Sequence, residues 1–173
     1  MSISFVSRLD LHAVSCVSLS PSVYKRFIDG FAAAAKSLEV GNDLDKESKM
    51  GPLANTRRID AMEAFVADAV CKGAIIRTGG KRIGNKGNFY EPTVLSDVNS
   101  EMRVMNDEPF GPLAPVMTFT DFDEAVNEAN RLRYGLAAYA YTSFAKSATA
   151  IGAAFESGMV SINHHAPALP EVP

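Results

Sequence analysis

The feature that most restricts how this chain can fold is its regular change of apolar rhythm. The spacing switches between helical threes and fours and short strand-like runs, and glycine or proline stands at most of the switches. Behind Ser20-Pro21, a cap and a preset first helical position, Val23, Phe27, Ile28, Phe31, Ala32, Ala35 and Leu38 fall on one face, and Gly41-Asn42 stops the run. The spacing predicts a helix from about Pro21 to Glu39. Ile59, Met62, Phe65, Val66, Ala69 and Val70 predict a second one, ended by Lys72-Gly73, with Arg57, Arg58, Asp60, Glu63 and Asp68 on its other face. Cys71 on this helix reads as a small buried hydrophobe.

Ala74 to Arg77 reads as a short strand and the Gly- and Lys-rich stretch from Thr78 to Asn88 as a turn or hairpin tip. That stretch lacks the strand-to-helix context and Gly-Lys-Ser/Thr ending of a phosphate loop. Tyr90 to Val98 is a strand in which Pro92 fits only at the start or on an edge, and Leu113 to Phe119 is another. Asp121 caps a helix through Phe122, Ala125, Val126, Ala129 and Leu132, which Tyr134-Gly135 ends. Leu136 to Thr142 (strand), Phe144 to Phe155 (helix) and Met159 to Asn163 (strand) complete the alternation. The expected class is α/β, a three-layer αβα arrangement around a mostly parallel sheet.

At 173 residues the chain suits one α/β domain or part of one. An apolar fraction of 47% with 21% charged residues is ordinary for a packed globular protein. Seventeen Lys and Arg against twenty Asp and Glu leave a net charge of -3, without the basic surplus that nucleic acid requires. No run reaches a membrane span and no secretory leader is evident, so a cytoplasmic protein without a membrane partner is expected. Two cysteines, Cys16 and Cys71, form neither a disulfide framework nor a metal site.

Glu108-Pro-Phe-Gly-Pro-Leu113 resembles the Glu-x-Phe-Gly-Pro motif of the aldehyde dehydrogenase superfamily. Four flanking blocks match in order and spacing: Val40-Gly-Asn42 through Met50-Gly-Pro-Leu53, Asn88 to Leu95, Tyr134 to Thr142, and Gly158 to Asn163. The resemblance covers about Ser20 to Pro173 and implies a truncated catalytic domain over 20–173 behind a divergent segment, 1–19. It implies NAD or NADP as cofactor, a small aldehyde as substrate and a homo-oligomeric assembly. Glu108 would accept hydrogen bonds from the nicotinamide ribose, a task for an acceptor-only carboxylate, and Phe110 would press on the nicotinamide. Read alone, the same two residues are a loop carboxylate and a core plug. Arg58 matches positions near the adenosine end of the cofactor, or is a solvated helix arginine. Asn163 reads as a structural amide pinning the loop that follows it. His164 and His165 fall in the stretch lining the aldehyde tunnel; adjacent residues of an extended chain point opposite ways, which argues against a metal.

Oxidation in that superfamily starts with a cysteine thiolate attacking the aldehyde carbonyl, then hydride transfer and thioester hydrolysis. The matching position falls near Asp10 to His12, where there is no cysteine, and Cys16 is the remaining candidate. The cofactor domain, the general-base glutamate and the oxyanion asparagine would lie before the matching region, and a Phe-Gly-Gly turn with an oligomerising strand after it. The expectation is therefore an aldehyde dehydrogenase by family that is inactive as an isolated chain; the alternative is a non-catalytic module associating with full-length dehydrogenase subunits. The wording around Met50-Gly-Pro-Leu53 resembles the branch acting on succinate semialdehyde and similar small or aromatic aldehydes.

Overall fold

The computed structural model describes residues 5–10, 13–42, 44–133 and 135–164, with side chains from residue 16 onward. Its elements are β1 (Phe5–Asp10), β2 (Ala13–Leu19), α1 (Pro21–Lys36), α2 (Thr56–Cys71), β3 (Ile75–Thr78), β4 (Thr93–Ser96), β5 (Leu113–Thr118), α3 (Phe122–Asn130), β6 (Ala137–Tyr141), α4 (Ala145–Ala154) and β7 (Met159–Ile162). The chain divides into two compact units, one of residues 26–116 and one of residues 1–25 with 117–173.

In the unit of residues 26–116, α2 forms because its apolar residues repeat at helical spacing. Ile59, Met62, Phe65, Val66 and Ala69 are all at most 6% exposed. Burying side chains of this size contributes about 1.5–3 kcal/mol each, so the stripe holds the helix more firmly than propensity does. Two expectations fail at its last turn, where Val70 is 45% exposed and Cys71 is exposed. At about 100° per residue, Val70 stays on the side of Ile59 and Val66 yet is open at the helix end, whereas Cys71 lies nearly opposite the stripe. Asp68 accepts from the Arg103 amide (2.8 Å) and pairs with Lys72 (2.8 Å), and Lys72 also donates to the Glu101 carbonyl (2.7 Å). These bonds tie the helix end to the segment before the 3-10 turn at Arg103–Met105. The Lys72 ammonium, and then the Arg103 amide, hold the Asp68 carboxyl below its ordinary value.

The strands of this unit run in the order β3, β4, β5. β3 is antiparallel to β4, with Ile76 opposite Leu95, and β4 is parallel to β5, with Thr93 opposite Leu113. β4 is shorter than expected. Pro92, without an N–H, stands just before it, and Asp97 ends it in a left-handed conformation (φ 57°). Between β3 and β4 the expected hairpin tip is closed by Ile83 N–H to Phe89 O (2.9 Å) and Glu91 N–H to Lys81 O (3.0 Å). Gly79 has φ 75° and lies against the Pro92 carbonyl, a position that admits no side chain.

In the other unit the order is β2, β1, β6, β7. β1 is antiparallel to both neighbours, and β6 is parallel to β7, with Tyr139 opposite Ser161. Parallel pairing thus follows where strand, α4 and strand succeed one another. Phe119, Ala125, Ala138, Ala140, Ile151 and Phe155 form the core between these strands, α3 and α4. Asp121 caps α3 as expected by accepting from Glu124 N–H (2.9 Å), while the Glu124 carboxylate accepts from the Thr120 amide and hydroxyl (both 2.7 Å). The helix ends at Asn130, short of Leu132. The Asn130 amide donates to Ala154 O (2.8 Å) and accepts from Glu156 N–H (2.9 Å), so it serves the end of α4. Tyr134 lies outside the described residues.

Candidate functional site

The Glu108–Pro112 stretch is a loop leading into β5 and is built from both sides. Before it, the Asn106 amide donates to the Ser100 and Met102 carbonyls (2.7 and 2.8 Å), and Asp107 N–H donates to Arg103 O (2.8 Å). After it, Thr93 N–H of β4 donates to Pro112 O (2.8 Å). Across it stands the first turn of α2. Arg58 donates from Nη2 to the Pro109 carbonyl, and its guanidinium carbon lies 6.0 Å from the Phe110 ring centroid. Gly111 packs against the Met62 thioether so closely that any β-carbon would collide with it. Met62 is itself 0% exposed, which explains the glycine in the motif by packing.

The held loop displays Phe110. The residue is 57% exposed and its backbone has φ 42°, a left-handed conformation that costs a non-glycine residue about 1–2 kcal/mol. Phe110 is therefore not a core plug. Strain of this kind persists only where surrounding structure enforces it, and it concentrates at ligand clamps. Glu108 is half-buried two residues away. A carboxylate and an exposed aromatic ring on one braced loop can accept from hydroxyls and cover a flat ring of the same ligand.

The burial of the Tyr90 hydroxyl went unnoticed in the sequence. The residue is 1% exposed, its hydroxyl has no hydrogen-bond partner, and burial, then Glu63 and Glu91, push it up to about 12. A tyrosine in a strand-like run gives no sequence signal that its hydroxyl will be orphaned.

Cys16 and His164 belong to the other unit. Cys16 sits within β2 and its sulfur is 3.8 Å from the Ser18 hydroxyl. The residue keeps partial exposure, yet burial of the sulfur dominates and pushes the thiol from its ordinary 9.0 up to about 12, against the lowering effect of Ser18. Reactive cysteines have the opposite setting, with the thiolate favoured. His164 is exposed, and its carbonyl accepts from the Ser161 hydroxyl (2.8 Å). His165 lies outside the described residues. Asn163, at φ 58°, accepts from Thr142 N–H and donates to Thr142 O (both 2.9 Å), so its amide locks the end of β7 to the end of β6; the loop that it was expected to pin lies outside the described residues. Among the described residues no group of three His, Cys, Asp or Glu is placed to hold a metal ion, and no helix is long and apolar enough to cross a membrane.

The probable succinate-semialdehyde dehydrogenase [NADP(+)] of Sinorhizobium fredii is 44% identical over 154 residues, covering 86% of this chain and 31% of that protein. The crystal structure of succinate-semialdehyde dehydrogenase from Burkholderia pseudomallei superposes with a TM-score of 0.82 at 41% identity, covering 84% of this chain and 30% of that one. A Staphylococcus aureus betaine aldehyde dehydrogenase in complex with NAD+ superposes with a TM-score of 0.84 at 29% identity, over 92% of this chain and 33% of that one. The chain thus spans about 30% of the length of these relatives. The model of the aldehyde dehydrogenase family matches residues 12–173, and this chain belongs to that family.

Proposed function

We propose that this chain carries the nicotinamide-facing loop of an NAD(P)-dependent aldehyde dehydrogenase, and that the whole protein oxidises an aldehyde to a carboxylic acid. The observation that carries this is Phe110, an exposed aromatic ring on a left-handed backbone, two residues from the acceptor Glu108. These residues fit a nicotinamide riboside. Glu108 accepts from the ribose hydroxyls and Phe110 limits the wandering of the ring, which keeps donor and acceptor carbons close. The cofactor supplies the hydride acceptor when bound. The catalytic-domain part runs over residues 12–173, where the family model matches, and so begins before the expected residue 20. The aldehyde is succinate semialdehyde or a similar small one, as the names of the relatives support, with the exposed His164 on its path. The compartment proposed is the cytoplasm. Cys16, held as a neutral thiol, is not the nucleophile, and the isolated chain is inactive.

A second reading, a module that associates with full-length dehydrogenase subunits, is favoured by β3. It is the end strand of its set, and Ile75 and Ile76 are 50% and 40% exposed on it.

Two measurements test the first reading. Saturating succinate semialdehyde and NADP give no turnover with the chain alone; turnover lost in Cys16→Ser and kept in Cys71→Ser overturns the assignment of Cys16. In a chimera carrying residues 20–173 in place of the matching stretch of the Sinorhizobium relative, Glu108→Gln keeps the fold and slows hydride transfer or weakens cofactor binding by roughly one to two decades. That corresponds to losing a charge-assisted hydrogen bond of about 1.5–3 kcal/mol. Unchanged stopped-flow hydride transfer and cofactor affinity reduce Glu108 to a loop carboxylate.

A further inference from the structure

We infer that Arg58 is a positioning residue for Phe110, its guanidinium holding the aromatic face in the strained conformation that lets it bear on a cofactor ring. The inference rests on the nicotinamide-facing role proposed for the loop. Three observations on one side chain support it. Arg58 donates to the carbonyl of Pro109, the peptide unit that leads directly into Phe110 and sets its backbone angle. The same guanidinium stands 6.0 Å from the centre of the Phe110 ring, within cation–π reach. Its Nε is buried without any hydrogen-bond partner. A solvated helix arginine would turn that donor to water. Here the group stays in place while leaving a polar atom unsatisfied, an arrangement that calls for a reason at this position.

The anchor point is as fixed as the group it holds. Arg58 lies in the first turn of α2, where its amide donates to Asn55 O (3.0 Å), and the adjacent Ile59 and nearby Met62 are 2% and 0% exposed, so the helix cannot rotate to withdraw the side chain. Left alone, a phenylalanine at φ 42° would relax toward the ordinary negative range. A planar guanidinium can grip the preceding carbonyl and lie near the ring at once, which an ammonium cannot match.

The test uses the chain itself. It contains no tryptophan, so Phe110→Trp introduces a single fluorophore at the displayed position. Anisotropy and acrylamide quenching of the introduced indole are compared with Arg58 intact, with Arg58→Met, which keeps the apolar stem without the charge, and with Arg58→Lys. The expected result is lower anisotropy and easier quenching in Arg58→Met, an intermediate value in Arg58→Lys, and unchanged circular dichroism in all. With Phe110 native, hydrogen exchange at the Phe110 and Gly111 amides should quicken about tenfold in Arg58→Met, as local opening becomes easier. Equal values for arginine and methionine in both measurements overturn the inference, because packing of the stem would then suffice. So does a lysine variant no different from methionine. Titration of the chimera with NADH separates the two ideas: a loop that loosens in Arg58→Met, with an NADH affinity that neither Arg58→Met nor Glu108→Gln changes, keeps the positioning role and counts against the nicotinamide reading. NADH binding that persists equally in Arg58→Met, with an unmoved loop, does the reverse.

Discussion

Cys16 and Phe110 are two residues that the sequence singles out for contact with a reacting molecule, and their surroundings treat them oppositely. Cys16 lies within a strand whose next residues, Val17, Ser18 and Leu19, are at most 5% exposed, and burial raises its thiol to about 12. Phe110 is 57% exposed, on a backbone that a phenylalanine would not choose, in a loop held by Arg58, Met62 and Thr93. The first is reactive chemistry made inert by its neighbours; the second is an inert hydrocarbon made available by its neighbours. Burial and strain, more than residue type, separate a scaffold position from a contact position.

The largest effect that would break this contrast concerns the thiol. Three units between 9.0 and about 12 mean that Cys16 should alkylate about a thousandfold more slowly at pH 8 than an ordinary thiol, on thiolate fraction alone. Iodoacetamide labelling followed by peptide mass spectrometry reads this, and rapid labelling of Cys16 in the folded chain contradicts it. The same shift has a stability counterpart. Because the folded-state value is raised, the contribution of the neutral thiol is fully present below pH 9, and it is lost as pH rises from there through about 12. Urea midpoints should therefore decline over that alkaline window in the native chain and less steeply in Cys16→Ala.

Truncation sharpens the contrast next. Leu19→Ala, at a side chain 0% exposed, should cost about 2–5 kcal/mol, whereas Phe110→Ala should stay within about 0.5 kcal/mol. Denaturant titration distinguishes them, and a Phe110→Ala loss of Leu19 size would return Phe110 to the core. The smallest expected effect has the opposite sign. Phe110→Gly should stabilise by about 0.5 kcal/mol, because relief of a left-handed cost of about 1–2 kcal/mol outweighs the extra freedom glycine gives the unfolded chain. A lower melting temperature in that variant would show that Phe110 is not strained.

Helices were legible in the sequence because a stripe such as Ile59, Met62, Phe65, Val66 and Ala69 repeats through about three turns and each turn adds to the signal. Ends were less so: a helix ends where its cover ends, and Val70, Cys71 and Leu132 carry no mark of that. β1 and β2 were not foreseen at all. A strand buried on both faces, as Val17, Ser18 and Leu19 are, loses the alternation by which strands are recognised. In the site, Glu108 and Phe110 stood out by motif, and the motif also singled out Gly111. Its reason, Met62, lies 49 positions earlier in the chain, and the clamp from Arg58 spans 51. Such distant contacts leave no trace in local spacing.

The closeness of Gly111 to Met62 also sets an order in which the two positions can change. A methyl group at residue 111 strikes the thioether, so Gly111→Ala arriving first must push a fully buried side chain out of place. If Met62→Ala arrives first, it leaves a void that the new methyl can then partly fill. The same substitution at 111 is therefore harmful on one background and helpful on the other, which is sign epistasis, and a double-mutant cycle should return a coupling comparable to the single effects. Homologous chains that differ at either position should then tend to differ at both, with the shortened methionine as the permissive step.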